Sequence, residues 1–194
     1  MTYELENFFP GDPQNSYRKN EAIKLFRTIT ATATRAEIGL RRIAHDNNER
    51  DRFTRWFGPV GPNNTHLNQI KANLTKIIRS VMGKKIILRN SAVGGGAEVN
   101  PATGKLRTGV PLEAVAYVRP ALQNLKIYLL EEFFKHHQYQ WTGAGVIFHE
   151  LSHMFANTKD HCYMHQPCIN LALNQPLQAR NNADNYRLYF EEFM

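Results

Sequence analysis

Two histidines that lie four residues apart on a predicted helix constrain this chain more than any other feature of its sequence. Residues 148–154 read FHELSHM, which places His149, Glu150 and His153 in an H-E-x-x-H pattern. Residues four apart on a helix share a face, with Cβ atoms about 6 Å apart, so both imidazoles can reach one metal ion. Glu150 lies beside that ion without having to bind it, where it can take a proton from zinc-bound water. The pattern therefore predicts a hydrolytic zinc site.

The alternative explanation of this pattern is a surface helix whose histidines are simply solvated. The residues just before the first histidine, 143–148, read GAGVIF. Small and apolar residues of this kind are typical of a helix that is buried in a protein core. The context therefore favours a zinc site over a solvated helix.

The third protein ligand decides which class of zinc hydrolase this is. Lys159 lies six residues past His153, so a histidine ligand at that spacing is excluded. Asp160 lies seven residues past His153, and this spacing leaves enough chain for a turn that returns a carboxylate to the metal. The residues alone leave three alternatives open, namely His161, His165 and the downstream Glu191.

The segment after the second histidine resembles the aspzincins, a family that comprises the deuterolysins and the peptidyl-lysine metalloendopeptidases. In that family H-E-x-x-H is followed by G-T-x-D-x-x-Y, and residues 157–163 here read NTKDHCY, with Asn157 in place of the glycine. The likeness extends to residues 56–58 (WFG) and 182–186 (NADNY). The resemblance covers roughly residues 50–190, and it is sharpest after residue 143.

The resemblance implies a zinc endopeptidase and assigns roles to five side chains. His149, His153 and Asp160 are the expected zinc ligands, and Glu150 is the expected general base. Tyr163 is expected to donate its hydroxyl to the oxyanion of the tetrahedral intermediate, where negative charge develops. The expected substrates are proteins or peptides.

Further expectations concern the two cysteines near Asp160 and the recognition of the substrate. By count and spacing, Cys162 and Cys168 are compatible either with a short-loop disulfide or with two buried thiols, and the resemblance implies the disulfide. Lysine-specific relatives receive the residue after the scissile bond in an acidic pocket, and Asp184 is the candidate substrate-binding carboxylate here. A second acidic residue three positions later would lie on the same helical face and help to bind lysine, but that position is Arg187.

The chain as a whole predicts an α+β, predominantly helical fold in a single catalytic domain over residues 1–194. Apolar residues recur at three- and four-residue spacing over 23–43 and 67–81, which predicts N-terminal helices. A small central antiparallel sheet, a zincin-like catalytic helix from Thr142 and C-terminal helices are expected to follow. The predicted strands are 85–89, 114–118 and 125–129.

The charge distribution bears on the class of partner. The formal net charge is +7; residues 141–194 carry three basic and five acidic side chains, a net of −2, so residues 1–140 carry +9. The basic excess lacks interleaved aromatic residues, which argues against nucleic acid. No apolar run is long enough for a membrane helix, and the glycine-rich loop 94–109 lacks the residues of a phosphate-binding loop.

The start of the chain contains no basic segment followed by an apolar one, so no cleaved signal peptide is expected. An active peptidase without an inhibitory segment favours a secreted bacterial toxin or effector delivered by a dedicated route, with a cognate inhibitor or immunity protein as partner. A cytoplasmic protein is the alternative, and the sequence leaves the oligomeric state open. Two functional alternatives are a gluzincin-like zinc hydrolase that uses Glu191 and a catalytically silent zincin-fold binding module.

Overall fold

The computed structural model describes residues 2–6, 13–60, 65–90, 116–118, 125–130, 133–134 and 142–194. The strands are β1 (Thr2–Glu6), β2 (Lys85–Asn90), β3 (Ala116–Val118) and β4 (Lys126–Leu129). The helices are α1 (Pro13–Arg42), α2 (Asn47–Phe57), α3 (Thr65–Gly83), α4 (Gly143–Ala156), α5 (His165–Asn174), α6 (Pro176–Ala179) and α7 (Ala183–Glu191). This order confirms the predicted, predominantly helical α+β fold. The loop 94–109 and residues 114–115 lie outside the described residues.

The N-terminal helices form where the apolar periodicity predicts them. In the apolar stripe predicted over 23–43, Ile23 is half-buried, and the members that follow it are buried, namely Phe26, Ile29, Ala33, Ala36, Leu40 and, just past the end of α1, Ile43. On α3, Leu67 is partly buried and the other five predicted core residues are buried. Burial of one large aliphatic side chain stabilises a fold by about 1.5–3 kcal/mol, so these two stripes hold the helices to the core.

Helix α2 begins and ends at positions that its sequence marks. The Asp46 carboxylate accepts hydrogen bonds from the backbone amides of Asn48 and Glu49, which caps the helix N-terminus. Gly58 follows the helix with φ 76°, a value that favours glycine. A Cβ atom at Gly58 would also lie 2.7 Å from the carbonyl oxygen of Ala172. Gly58 therefore ends the helix directly after Phe57.

The sheet differs from the prediction in the direction of its strands. The strand order is β1-β2-β4-β3, with parallel pairing of β1 with β2 and of β2 with β4. Only β3 runs antiparallel to its neighbour β4, so the expected antiparallel sheet is wrong and the sheet is mixed. Helices α1, α2 and α3 separate β1 from β2, and a parallel pair requires such a long crossover. Strand β1 was missed because periodicity over five residues is a weak signal.

Helix α4 lies at the centre of the molecule and contacts α1, α3, α7 and strand β3. Phe148 stacks on Phe190 of α7 with ring centroids 4.1 Å apart. Ile147 and Leu151 of this helix are fully buried. A Cβ atom at Gly145 would clash with the Glu191 carboxylate, so the small residue allows α7 to approach. Within the described residues, no helix is both long and apolar enough to cross a membrane.

Candidate metal centre

Helix α4 begins and ends at residues that fix its position. Thr142 caps the N-terminus, because its hydroxyl oxygen accepts a 2.9 Å hydrogen bond from the Gly145 amide. The Thr142 hydroxyl in turn donates to the Glu191 carboxylate at 2.7 Å. Asn157 ends the helix in the left-handed conformation, with φ 54° and ψ 39°. Asparagine tolerates this conformation better than other non-glycine residues do, so the turn survives the replacement of glycine.

Three side chains converge beside the C-terminal half of α4. The Nε2 atoms of His149 and His153 lie 3.1 Å apart, and Asp160 Oδ1 lies 3.1 Å from the first and 3.3 Å from the second. Zinc ligands about 2.0–2.1 Å from the metal in a tetrahedral shell are about 3.3 Å from one another. The nitrogen and oxygen donors suit zinc, and three protein ligands leave the fourth position for a substrate or water. The predicted trio therefore fits a catalytic zinc ion.

Hydrogen bonds on the far side of each imidazole set its orientation. His153 Nδ1 donates to the Thr158 carbonyl oxygen at 2.8 Å, and His149 Nδ1 lies 3.1 Å from Asp184 Oδ1. With the proton on Nδ1, the Nε2 lone pair of each ring points to the shared site. Thr158 follows the left-handed residue Asn157, so the helix end itself supplies the acceptor for His153.

The electrostatics of the trio favour a cation. Burial alone would lower the pKa of His149, but hydrogen bonds to Asp160 and Asp184 outweigh it and raise the pKa to about 9. Burial would likewise raise the pKa of Asp160, yet the two histidines hold that pKa far below its usual range. These directions mean that the carboxylates stabilise positive charge at the imidazoles. A divalent metal ion would be stabilised in the same way.

Asp184 does not occupy the position expected of a substrate-binding residue. It is 3% exposed and lies behind His149. Arg187 donates from Nε to Oδ1 at 2.7 Å and from Nη2 to Oδ2 at 2.8 Å, and the Met164 amide donates to Oδ2 at 2.7 Å. Both carboxylate oxygens are thus engaged, so Asp184 holds His149 in place and is closed to a substrate lysine. Sequence reasoning missed this role because it depends on how α7 packs against α4.

We expect Asp184→Asn to weaken zinc binding by about 10–100-fold, which is the usual cost of losing the outer partner of a metal-binding histidine. The substitution keeps the shape of the side chain but removes the charge that stabilises the His149 side of the site. Competition with a chromophoric chelator would measure the affinity. Asp51→Asn, the same change at an exposed position on α2, is the matched control. Equal zinc affinity in the two variants would contradict the role assigned to Asp184.

Glu150 is buried beside the two histidines. The residue is 6% exposed, and its carboxylate accepts a hydrogen bond from the Val118 backbone amide of β3. Burial disfavours the charged form and raises the pKa of Glu150, while the neighbouring histidines act in the opposite direction. A carboxylate with a raised pKa is a better proton acceptor near neutral pH.

Tyr163 lies at the open side of the trio. Its ring stacks on His149 with centroids 6.0 Å apart and an interplanar angle of 18°, and its hydroxyl hydrogen-bonds Asp160. Burial and the nearby carboxylates raise the pKa of the phenol, so it keeps its proton at neutral pH. The side chain is nevertheless 56% exposed. An exposed, protonated hydroxyl beside the trio can donate to a bound substrate.

Two buried asparagines hold the segment that carries Asp160 and Tyr163. Asn182 Oδ1 accepts from the amides of His161 and Cys162 at 2.8 and 3.2 Å. Asn185 Nδ2 donates to the carbonyl oxygens of Trp56 at 2.6 Å and Cys168 at 3.1 Å. The sequence signal for this role was a pair of asparagines at the start of α7, whose later residues are mostly apolar. Together these bonds join the ligand segment to α2, α5 and α7.

The two cysteines lie side by side but are not bonded to each other. Cys162 Sγ and Cys168 Sγ are 3.3 Å apart, longer than the about 2.05 Å of a disulfide. The disulfide expected from the resemblance stays a prediction, and the structure places its two sulfur atoms next to each other. Asn182 Nδ2 lies 3.5 Å from both sulfur atoms, so the thiols belong to the same network that holds the ligand segment.

Among the described residues, the alternative third ligands are not members of the cluster of metal-binding donors. Glu191 is at the opposite end of α4, where Thr142 and Arg187 occupy its carboxylate. The His165 ring packs edge-on against Trp56 with centroids 4.8 Å apart, and His161 is exposed. In the part of the chain that the structure describes, the group of side chains able to hold a metal is formed by His149, His153 and Asp160. The alternative based on Glu191 has no support in this geometry.

Comparison with known proteins identifies similar sequences and folds. The sequence profile of a family described as lysine-specific metallo-endopeptidases, the aspzincins, matches residues 42–191. The chain is similar to an extracellular protease of Aeromonas hydrophila, with 31% identity over 160 residues, which is 77% of this chain and 38% of that protein. The chain therefore spans well under half the length of this relative. The fold is similar to that of a zinc peptidase from Grifola frondosa, with a TM-score of 0.65 and 22% identity over 89% of this chain and 95% of the other.

Proposed function

The chain belongs to the aspzincin family of zinc metallo-endopeptidases, and on this premise we propose that it hydrolyses internal peptide bonds of protein substrates at the centre formed by His149, His153 and Asp160. The observation that carries the proposal is the convergence of these three donors within about 3.3 Å of one another. Incubation with a denatured protein, with and without a chelator, tests it. Fragments that form only in the absence of chelator support the proposal, and an intact substrate in both arms contradicts it.

The proposed mechanism assigns both proton transfers to Glu150. When bound, zinc supplies a Lewis acid that polarises the scissile carbonyl and lowers the pKa of the attacking water. Glu150 accepts the proton of that water and then passes it to the leaving amine. The Val118 amide, which hydrogen-bonds this carboxylate, holds it beside the trio. Burial of Glu150 supports the role, because it makes the carboxylate more basic.

Tyr163 is the proposed donor to the oxyanion. We expect Tyr163→Phe to lower kcat by about 10²-fold, at the lower end of the range for loss of one such donor, with little change in KM. Because the side chain is largely exposed, the melting temperature is expected to stay within a few degrees. Steady-state kinetics on an internally quenched peptide, beside thermal unfolding, provides the measurement. Tyr17→Phe, at an exposed position of α1, is the control; a Tyr163→Phe enzyme with the kcat of the parent would rule the role out.

We also propose a preference for basic residues, such as lysine, after the scissile bond. The description of the matched family supports this preference, and so does the net charge of −2 over residues 141–194. Asp184 no longer supports it, because that carboxylate lies behind His149. Cut sites mapped by mass spectrometry on a mixed peptide library test the preference. A cleavage profile with no enrichment of basic residues at that position would contradict it.

The site of action is proposed to lie outside the producing cell, where the protein acts as a delivered toxin or effector with a cognate inhibitor or immunity protein. The similarity to a protein named as an extracellular protease supports this proposal. Fractionation of native cells tests it: protein in the medium or in a recipient cell supports the proposal, whereas protein confined to the cytosol contradicts it.

Residues 1–194 are proposed to form one catalytic domain. Strand β1, near the chain start, pairs with β2, and α1 contacts both α4 and α7. Arg52 and Arg55 of α2 form ion pairs with Glu192 near the chain end at 3.1 and 2.6 Å. These contacts between distant parts of the chain support a single cooperative unit.

A further inference from the structure

The outer face of α3 forms a basic groove that the metal centre does not use. The groove has a volume of about 680 Å³, and four of its lining residues are Lys71, Lys76, Arg79 and Lys84. The other lining residues are small, as at Ala72 and Gly83. Positive charges therefore lie beside small side chains that leave room for a ligand. We call this feature the α3 groove.

Among the described residues, no acidic side chain pairs with the basic residues of the α3 groove. Residues 52–97 contain eight basic side chains and no Asp or Glu. Within the described residues, no carboxylate forms an ion pair with Lys71, Lys76 or Arg79, and Lys84 Nζ lies 5.1 Å from the ring centroid of Phe155. Other basic side chains do have acidic partners, as in Arg41 with Glu37. Uncompensated like charges on one face attract a partner of the opposite sign.

We propose that the α3 groove is an exosite that binds an acidic segment of a protein substrate, an inference that rests on the proposed endopeptidase function. From Lys71 to Lys84 the helix rise of 1.5 Å per residue gives a length of about 20 Å. An extended peptide of about six residues has the same length. Carboxylates spaced along such a peptide complement the ammonium and guanidinium groups along the groove.

Other polyanions fit the α3 groove less well. Surfaces that bind single-stranded nucleic acid without sequence preference usually offer aromatic side chains on which bases stack, and none of the described residues that line the groove is aromatic. A membrane-binding helix inserts bulky apolar residues into the bilayer interface, but the apolar contribution here comes from small residues such as Ala72. A concave basic surface without aromatic or bulky apolar residues therefore favours an acidic polypeptide.

The α3 groove lies on a different side of α4 from the metal ligands. Lys84 covers Phe155, which lies six residues after His149 on the same helix. At about 100° per residue, six residues place Phe155 about 120° from His149 around the helix axis. The exosite would therefore raise the affinity for a substrate without touching the reacting bond. A bound acidic segment makes the second binding step intramolecular, which lowers KM.

The test compares two charge-reversal variants of the zinc-loaded full chain. The first is Lys71→Glu/Lys76→Glu/Arg79→Glu in the α3 groove. The second, the control, is Lys19→Glu/Lys24→Glu/Arg27→Glu on the exposed face of α1, which has the same residue types at the same spacing. Each variant replaces three positive charges by three negative ones, so the formal net charge falls from +7 by six to +1 in both. Nonspecific effects of net charge are thereby matched.

Binding of a labelled polyglutamate peptide is measured by fluorescence anisotropy at low salt. We expect the groove variant to lose at least about tenfold in affinity and the control less than about twofold, with binding by the parent weakening as salt rises. Equal affinity of the groove variant and the parent would overturn the proposal. A triple alanine variant at the same groove positions is the second test, in case the charge-reversal variant does not fold. It is also expected to bind polyglutamate more weakly than the parent.

Enzyme kinetics distinguish the exosite proposal from the proposed endopeptidase function. One peptide substrate carries a glutamate-rich tail and a second lacks it; the groove variant is expected to raise KM for the first only and to leave kcat unchanged. If neither peptide is cleaved by any variant, the endopeptidase assignment fails, while the anisotropy result still decides the binding site. Tighter groove-dependent binding of duplex DNA, sulfated polysaccharide or anionic vesicles than of polyglutamate would overturn the acidic-peptide assignment.

Discussion

Replacement of Glu150 by glutamine is expected to lower kcat by about 10³-fold, because the amide cannot accept the proton of the attacking water. Zinc is expected to remain bound, since the carboxylate lies outside the trio of donors. The shape of the buried side chain is also preserved, so the fold and its melting temperature are expected to change little. Single-turnover cleavage of a quenched peptide, beside zinc content by atomic absorption, measures both quantities on the same sample.

The control for this substitution is Glu21→Gln, which makes the same chemical change on a different helix, α1. Full activity in the Glu150→Gln enzyme would show that another group accepts the proton. Loss of zinc together with activity would instead assign Glu150 to metal retention. The two measurements together therefore distinguish a base from a ligand.

Replacement of Asp160 by alanine is expected to weaken zinc binding by more than about 100-fold, which exceeds the usual cost of losing an outer partner. Asp160 Oδ1 lies 3.1 and 3.3 Å from the two histidine nitrogens, so its removal leaves a two-nitrogen site. The Asp160 side chain is 41% exposed, and the fold itself is therefore expected to tolerate the change. Chelator competition measures the affinity, and peptide cleavage is expected to fall in parallel.

Two variants make this test specific. Asp51→Ala removes an exposed carboxylate elsewhere and is expected to keep the parental affinity. Glu191→Ala removes the alternative third ligand; because that carboxylate bonds Thr142 and Arg187, some loss of stability is expected, with zinc still bound. Unchanged zinc content in Asp160→Ala, with loss in Glu191→Ala, would move the third ligand to Glu191.

Local spacing predicted those parts of the site that lie within one short segment. His149 and His153 are one helical turn apart, so their convergence follows from helix geometry alone. Asp160 follows within a single turn of chain, and the resemblance identified it among several nearby candidates. Helices α1 and α3 were predicted for the same reason, because the apolar periodicity that defines them is also local.

Features that depend on contacts between distant segments were missed or assigned wrongly. Asp184 was expected to face a substrate, but packing of α7 against α4 turns it toward His149. The parallel pairing of β1 with β2 joins strands on either side of three helices, and alternation along a strand does not state which partner it takes. In each case the missing information was tertiary packing, which overrides patterns read along the chain.

One guanidinium group connects the two ends of the catalytic helix to the last part of the chain. Arg187 bonds Asp184, which holds a metal-binding histidine, and also Glu191, which holds the threonine at the helix start. Because Asp184 of α7 orients His149, docking of α7 and metal binding are expected to stabilise each other. Loss of the contacts made by α7 would therefore lower zinc affinity as well as the stability of the fold.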